Sequence, residues 1–223
     1  MRQDVLALFD LDNTLLPRDT DEQWVDFLLA SRVLDRDTYD AANRDLAARY
    51  ARGEAGALEF TEFYLSTLTS RAPAELALLH ARFMQERIVP SVSPAARALV
   101  ARHRDAGDLT VLTTATSRFL TGPIATLLGF EHHIATEPEM REGRYTGRIA
   151  GVPNMREGKV ERLLEWLAAR NQRLADFRES WFYSDSQNDL PLLSHVTHPV
   201  AVNADPVLAA HARHRGWRQL SIH

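Results

Sequence analysis

Residues 5–14, VLALFDLDNT, decide how the whole chain reads. Val5 to Phe9 form an unbroken apolar run of the length of a strand buried on both faces. It ends abruptly in Asp10-Leu11-Asp12-Asn13-Thr14. Two carboxylates at i and i+2 just past a buried strand give one group able to attack and a neighbour able to move a proton. Asp, Asn and Thr also favour turns and helix starts, so the segment alone equally describes a capped turn.

Outward from this strand, the next comparable run is Leu109–Ala115. The tract between them carries Trp24, Phe27 and Leu28, then Leu46 and Tyr50, then Phe60, Phe63, Tyr64 and Leu68, then Leu76, Leu79, His80 and Phe83. Their three-to-four spacing, broken at Gly53, Gly56 and Pro73, predicts helices. Pro17 and Pro90 bracket the tract at plausible hinges, so residues 17–90 read as a helical insertion into a core made of 1–16 and 91–223. The four aromatic side chains Trp24, Phe27, Phe60 and Phe63 are expected to form the insertion's own core.

After Ser91 the pattern alternates. Helices are expected over 94–106, 118–128, 157–169 and 206–214. Strands are expected over 109–115, 132–137, 181–184 and 199–202, with 144–150 as a hairpin arm turning at Glu142-Gly143. Such alternation predicts an α/β fold with a doubly wound parallel sheet.

Composition excludes several classes. Hydrophobic residues make up 45% and charged residues 25% of the 223, as in an ordinary globular protein. No apolar stretch is long enough to span a bilayer. Asp4, Asp10 and Asp12 interrupt any secretory signal core, so a cytoplasmic location is expected. Without cysteine there is neither disulfide nor thiolate metal site. Net charge is −4 and the basic residues are scattered, so no nucleic-acid partner is expected. The basic residues are all arginine apart from Lys159, and a site built for a compact ammonium does not accept a guanidinium.

Further polar clusters fall where a parallel sheet places its ligands, at the carboxyl ends of strands. Thr113-Thr114-Ala115-Thr116 follows a strand and offers hydroxyls beside a helix start. Lys159 opens an amphipathic helix. Ser184-Asp185-Ser186-Gln187-Asn188-Asp189 places two acids at i and i+4 on a strand-to-helix turn. His195 with His198, and His211 with His214, have the spacing of metal pairs but no third ligand motif, so surface histidines are expected.

The order Asp-x-Asp-x-Thr, strand–Thr, Lys, Asp-Ser-x-x-Asp resembles the haloacid dehalogenase superfamily, and the early helical insertion resembles its phosphoserine-phosphatase-like branch. The resemblance spans essentially the whole chain. It implies a Rossmann-like core with an inserted helical cap domain, and a phosphatase working through an aspartyl-phosphate. Asp10 would be the nucleophile and Asp12 the acid and base. Thr114, Lys159 and Asn188 would hold the phosphoryl group. Asp10, the main-chain carbonyl of Asp12 and Asp185 would bind Mg2+, supported by Asp189. Ser184 stands where the superfamily often has glycine. Asp12 favours phosphoryl transfer over dehalogenation, which has no use for a proton donor there.

Asp19 matches in spacing an acid that, in phosphoserine phosphatases, pairs with the substrate ammonium. The arginine that pairs with the substrate carboxylate is missing from Leu65–Leu68, with Arg71 just beyond. An ester bearing an amine but no carboxylate is therefore expected: histidinol phosphate first, phosphoserine next. Asp19 is equally placed to cap a helix. A phosphotransferase or phosphomutase would share the sheet motifs; a non-catalytic phosphate-binding protein would have no need of Asp10 and Asp12 together.

Overall fold

The computed structural model describes residues 4–223; residues 1–3 of the expected core segment lie outside it. Its seven strands are β1 (Val5–Phe9), β2 (Leu109–Ser117), β3 (His132–Arg141), β4 (Arg144–Ala150), β5 (Glu179–Ser184), β6 (His198–Val202) and β7 (Arg218–Leu220). They form one sheet in the order β4-β3-β2-β1-β5-β6-β7. All neighbours pair in parallel except the β3–β4 hairpin. Chain order reverses across β1, which pairs with β2 through Leu6–Leu109 and with β5 through Leu6–Ser180. The crevice beyond the carboxyl end of β1 is therefore the topological switch point of a doubly wound sheet. The short β7 was not expected from the sequence, having no apolar run to mark it.

Leu6, Ala7, Leu8 and Phe9 are completely buried, because helices cover both faces. On one face lie α8 (Glu157–Ala168), α9 (Leu190–Leu193) and α10 (Pro206–Arg215), whose Leu163, Leu167, Leu192 and Leu208 share a core with Leu6, Leu8 and Phe182. The other face is covered by α6 (Pro94–Asp105) and α7 (Arg118–Leu128), with Leu99, Leu120 and Ile124 packed around Ala7 and Phe9.

Between β1 and β2 the chain forms α1 (Thr20–Ala30), α2 (Arg36–Ala51), α3 (Ala57–Ser66), α4 (Pro73–Phe83) and α5 (Val89–Ser91), with Met84–Ile88 as a π-helical link. These helices differ in how they are anchored. Trp24 and Phe27 of α1 and Phe83 of α4 are buried and belong to the same apolar cluster as Leu120 and Tyr183 of the sheet layer. The Trp24 indole meets Phe83 edge-on at 5.3 Å and Phe119 at 5.9 Å, and its Nε1 donates to Thr67. By contrast α2 buries Leu46 alone among its residues and α3 buries Leu65 alone. The α3 end instead rests on the hairpin: a Cβ on Gly147 would stand 3.3 Å from the Ser66 Cα.

Trp24 thus ties α1 to both α4 and the sheet layer. Trp24→Ala should cost about 3–5 kcal/mol, the range for emptying a buried aromatic site. Urea unfolding is the measurement; a loss below about 1 kcal/mol would show that α1 is not locked to the core.

Candidate functional site

The carboxyl ends of β1, β2 and β5 open into a cleft of about 400 Å³. Its wall carries Asp10, Asp12, Asp19, Thr114, Lys159, Asp185, Asn188 and Asp189, so every site residue singled out in the sequence reaches one cavity. It also carries Thr116 from the same polar cluster as Thr114, together with Asp21, Arg156, and Phe60, Thr61 and Tyr64 of α3, which sequence reasoning did not assign to the site. Phe60 is half-buried and faces the cleft, so it is a wall residue and not solely packing for the insertion. Trp24 and Phe27 are core residues as expected.

The centre of the cleft floor is an ionic triad. Lys159 Nζ donates to Asp10 Oδ1 at 2.8 Å and to Asp189 Oδ2 at 2.7 Å, and all three side chains are nearly inaccessible. Burial alone would lower the lysine pKa, but the two carboxylates outweigh it and hold the ammonium above its usual value. An ammonium has three donors, so one remains for a ligand. Asp189 is oriented further by Ser184 Oγ, which donates to the same Oδ2 at 2.7 Å. Serine at this position therefore steers the second acid.

Asp10 Oδ2 lies 3.0 Å from the Thr14 hydroxyl, which lies 3.0 Å from Asp185 Oδ1 and accepts from the Asp185 N–H. One hydroxyl proton cannot serve both carboxylates. Burial first, then the charge of Asp10, push the Asp185 carboxyl up to about 8, against the lowering pull of the Thr14 hydroxyl. Two carboxylates and a strand-end carbonyl are the sparse oxygen set that Mg2+ takes while keeping its waters. No cluster of three or more acidic or histidine side chains forms a closed metal cage among the described residues. Three of the four histidines in the expected surface pairs are occupied elsewhere, His195 Nδ1 by the Pro191 carbonyl, His198 by stacking on Trp181 and His211 by Trp217, and His214 is exposed.

Asp12 is held from both sides. Its Oδ1 accepts from the N–H and hydroxyl of Thr20, and its Oδ2 from the Thr116 hydroxyl at 2.8 Å. Burial and the nearby Asp19 charge outweigh these hydrogen bonds and raise its pKa to about 7. Thr114 stands farther off, 3.4 Å from Asp12 Oδ2. Strand β2 runs on to Ser117 before α7 begins, so Thr114 and Thr116 sit on an irregular strand end and not in a helix's first turn.

Asp19 accepts from the Glu22 N–H at 3.0 Å as the N-cap of α1, and it also stands on the cleft wall. Burial raises its pKa. Asp21, the second residue of α1, is half-buried beside Thr116, and its pKa is raised well above the ordinary value, by desolvation first and then by Asp19 and Asp12. Asn188 is exposed at the rim. Arg71 is exposed, donates to the Ser70 carbonyl, and does not line the cleft.

The loop that delivers Lys159 is fastened by Asn154, whose buried Nδ2 donates to Thr113 Oγ1, Thr114 O and Ile134 O. Gly158 lets the loop pass: a Cβ there would lie 2.2 Å from the Pro153 carbonyl.

The chain matches the model of the haloacid dehalogenase-like hydrolases over residues 7–194 and belongs to that family. It is 41% identical over 218 residues to the histidinol-phosphatase of Neisseria meningitidis serogroup C (strain 8013), covering 97% of this chain and 98% of that protein. It is 34% identical over 221 residues to phosphoserine phosphatase SerB1 of Mycobacterium tuberculosis (strain ATCC 25618 / H37Rv), covering 95% of this chain and 68% of that one. A solved structure of a Bordetella pertussis Tohama I protein of unknown function superposes with a TM-score of 0.95 at 50% identity over the full length of both chains. The chain is a phosphatase of the haloacid dehalogenase type. No helix among the described residues is long and apolar enough to cross a membrane.

Asp12 and Asp185 keep their protons in the folded chain up to about 7 and 8, against 3.8 ordinarily. Between those limits the folded state binds more protons than the unfolded, so stability falls as pH rises through the window. With chelator present, the melting temperature should fall from about pH 6.5 to about pH 8.5; below that, His80, His103 and His133, whose pKa values burial lowers, add a slope of the opposite sign. Asp185→Asn, neutral throughout, should melt above wild type at the alkaline end and level with it at the acid end. A wild-type profile flat across the window would mean that these carboxyls ionise normally.

Proposed function

We propose that the chain is a magnesium-dependent phosphomonoesterase acting on a small amine-bearing ester, histidinol phosphate first and phosphoserine next, through an aspartyl-phosphate on Asp10. The observation that carries this is the contrast between two neighbouring carboxyls. Asp10 is ion-paired to Lys159, whereas Asp12 is raised to about 7. Environments that separate two acids in this way assign one as nucleophile and the other as proton carrier.

In the first step an Asp10 oxygen bonds to phosphorus as the bond from phosphorus to the leaving oxygen breaks. Asp12 gives its proton to that oxygen, releasing a neutral alcohol. In the second, Asp12 takes a proton from water as the water oxygen bonds to phosphorus, and the bond from phosphorus to the Asp10 oxygen breaks, releasing phosphate and restoring the carboxylate. Such acid–base help is worth on the order of 10²–10⁴-fold. Lys159 would hold a phosphoryl oxygen with its third donor, joined by Thr114 and Asn188. Mg2+ on Asp10, Asp185 and the Asp12 carbonyl would offset charge repulsion between nucleophile and phosphate. Residues 17–90 would act as the cap, with Phe60 and Tyr64 walling the leaving group and Asp19 facing its ammonium.

The substrate reading draws on the named relatives and on acids at the leaving-group end with no arginine from 65–71 opposite them. A phosphotransferase would use the same first step with another acceptor; release of one inorganic phosphate per ester in water alone would exclude it.

Asp10→Asn should abolish turnover while melting as a folded protein. Excess chelator should do the same to wild type, and Mg2+ should restore it. Steady-state hydrolysis by Asp10→Asn near the wild-type rate would rule out the acyl-phosphate.

Asp19→Asn should lower kcat/KM roughly ten- to a hundredfold on histidinol phosphate, the worth of a charge-assisted hydrogen bond, and leave p-nitrophenyl phosphate nearly unchanged. Equal losses on both esters would leave Asp19 as a helix cap only.

A further inference from the structure

The loop between β4 and α8 contains a residue whose backbone contradicts its side chain. The Met155 carbonyl accepts from the Gly158 N–H at 2.9 Å, closing a turn around Arg156 and Glu157. Arg156 has φ +50° and ψ −126°. That is the first central position of a primed turn, where glycine is the usual occupant because a Cβ is crowded there. Strained non-glycine residues of this kind persist where the side chain has a task.

The surroundings of the side chain indicate the task. Arg156 is exposed and lines the cleft; its carbonyl accepts from the Lys159 N–H at 3.1 Å, but its guanidinium makes no hydrogen bond or ion pair among the described residues. The same wall holds Asp10, Asp12, Asp19, Asp21, Asp185 and Asp189. Its other cation, Lys159, is already neutralised by carboxylates at 2.8 and 2.7 Å. A phosphate dianion approaching this wall meets acids first. Its one uncommitted cation among the described residues is Arg156, two bonds of main chain from the helix that carries Lys159. A guanidinium presents paired donors that match two phosphate oxygens at once.

We propose that Arg156 receives the phosphate group of the incoming ester at the cleft mouth and holds its non-bridging oxygens, and that the turn keeps a strained arginine for this purpose. The inference rests on the phosphomonoesterase reading for its physiological meaning, but its test does not. Glycine relieves the backbone and removes the charge, so Arg156→Gly separates the two consequences.

Calorimetric titration of inorganic phosphate into the Mg2+-loaded protein should show binding weakened about tenfold in Arg156→Gly and partly restored in Arg156→Lys, which returns a point charge without the fork. The glycine variant should also melt higher, by roughly 2 °C or more. In kinetics the loss should appear in KM more than in kcat, and equally on histidinol phosphate, phosphoserine and p-nitrophenyl phosphate. Unchanged phosphate affinity, or a glycine variant that melts below wild type, would overturn the proposal. A loss confined to phosphoserine would also overturn it, by assigning Arg156 to the substrate carboxylate. If wild type hydrolyses none of these esters while phosphate binding still weakens in Arg156→Gly, it is the phosphomonoesterase reading that fails and the Arg156 assignment that stands.

Discussion

A single buried ammonium organises this protein. Lys159 sits on a helix from one layer of the fold, Asp10 ends the central strand, and Asp189 follows β5; its two hydrogen bonds draw these elements to one point. Breaking such a buried pair from one side leaves an uncompensated charge, typically a loss of about 3–5 kcal/mol. The surrounding details serve that point. Asn154 pins the loop, Gly158 lets it pass under Pro153, and Ser184 turns Asp189 toward the lysine.

Around this fixed centre the electrostatics are graded. Near Lys159 the carboxylate of Asp10 is matched by opposite charge. Toward the helical side, Asp12, Asp19 and Asp21 have hydroxyls, main-chain N–H groups, one another and, for Asp19, the Arg18 guanidinium, and burial raises all of them. The cleft therefore runs from a charge-matched end at Lys159 to an acid-rich end at Asp12, Asp19 and Asp21.

The sequence made the sheet legible because its strands are buried on both faces and read as apolar runs ending in polar residues. β1, β2 and β5 are of this kind, and their ends hold Asp10, Thr114 and Asp185. β7 was not legible, because a three-residue edge strand reading Arg-Gln-Leu carries no such pattern. Asp21 escaped for another reason. It looks like ordinary helix-start polarity, and what sets it apart is its approach to Thr116 at the end of β2, which no local pattern encodes. Phe60 was placed in packing because a stripe at helical spacing does not say which of its members meets a partner. Arg156 had no sequence signal at all: its distinguishing property is a backbone angle.

The uneven anchoring of the helices between β1 and β2 bears on how such enzymes diversify. Helices α1 and α4 are built into the sheet layer's core, so substitutions there are paid in stability. Helix α3 buries one residue, yet supplies Ala57, Phe60, Thr61 and Tyr64 to the cleft wall. Mutations on its inner face therefore alter what the cleft admits at little thermodynamic cost, while the acids and the lysine below stay fixed. An ancestral chain of this architecture could drift from one leaving group to another through neutral steps on a single helix.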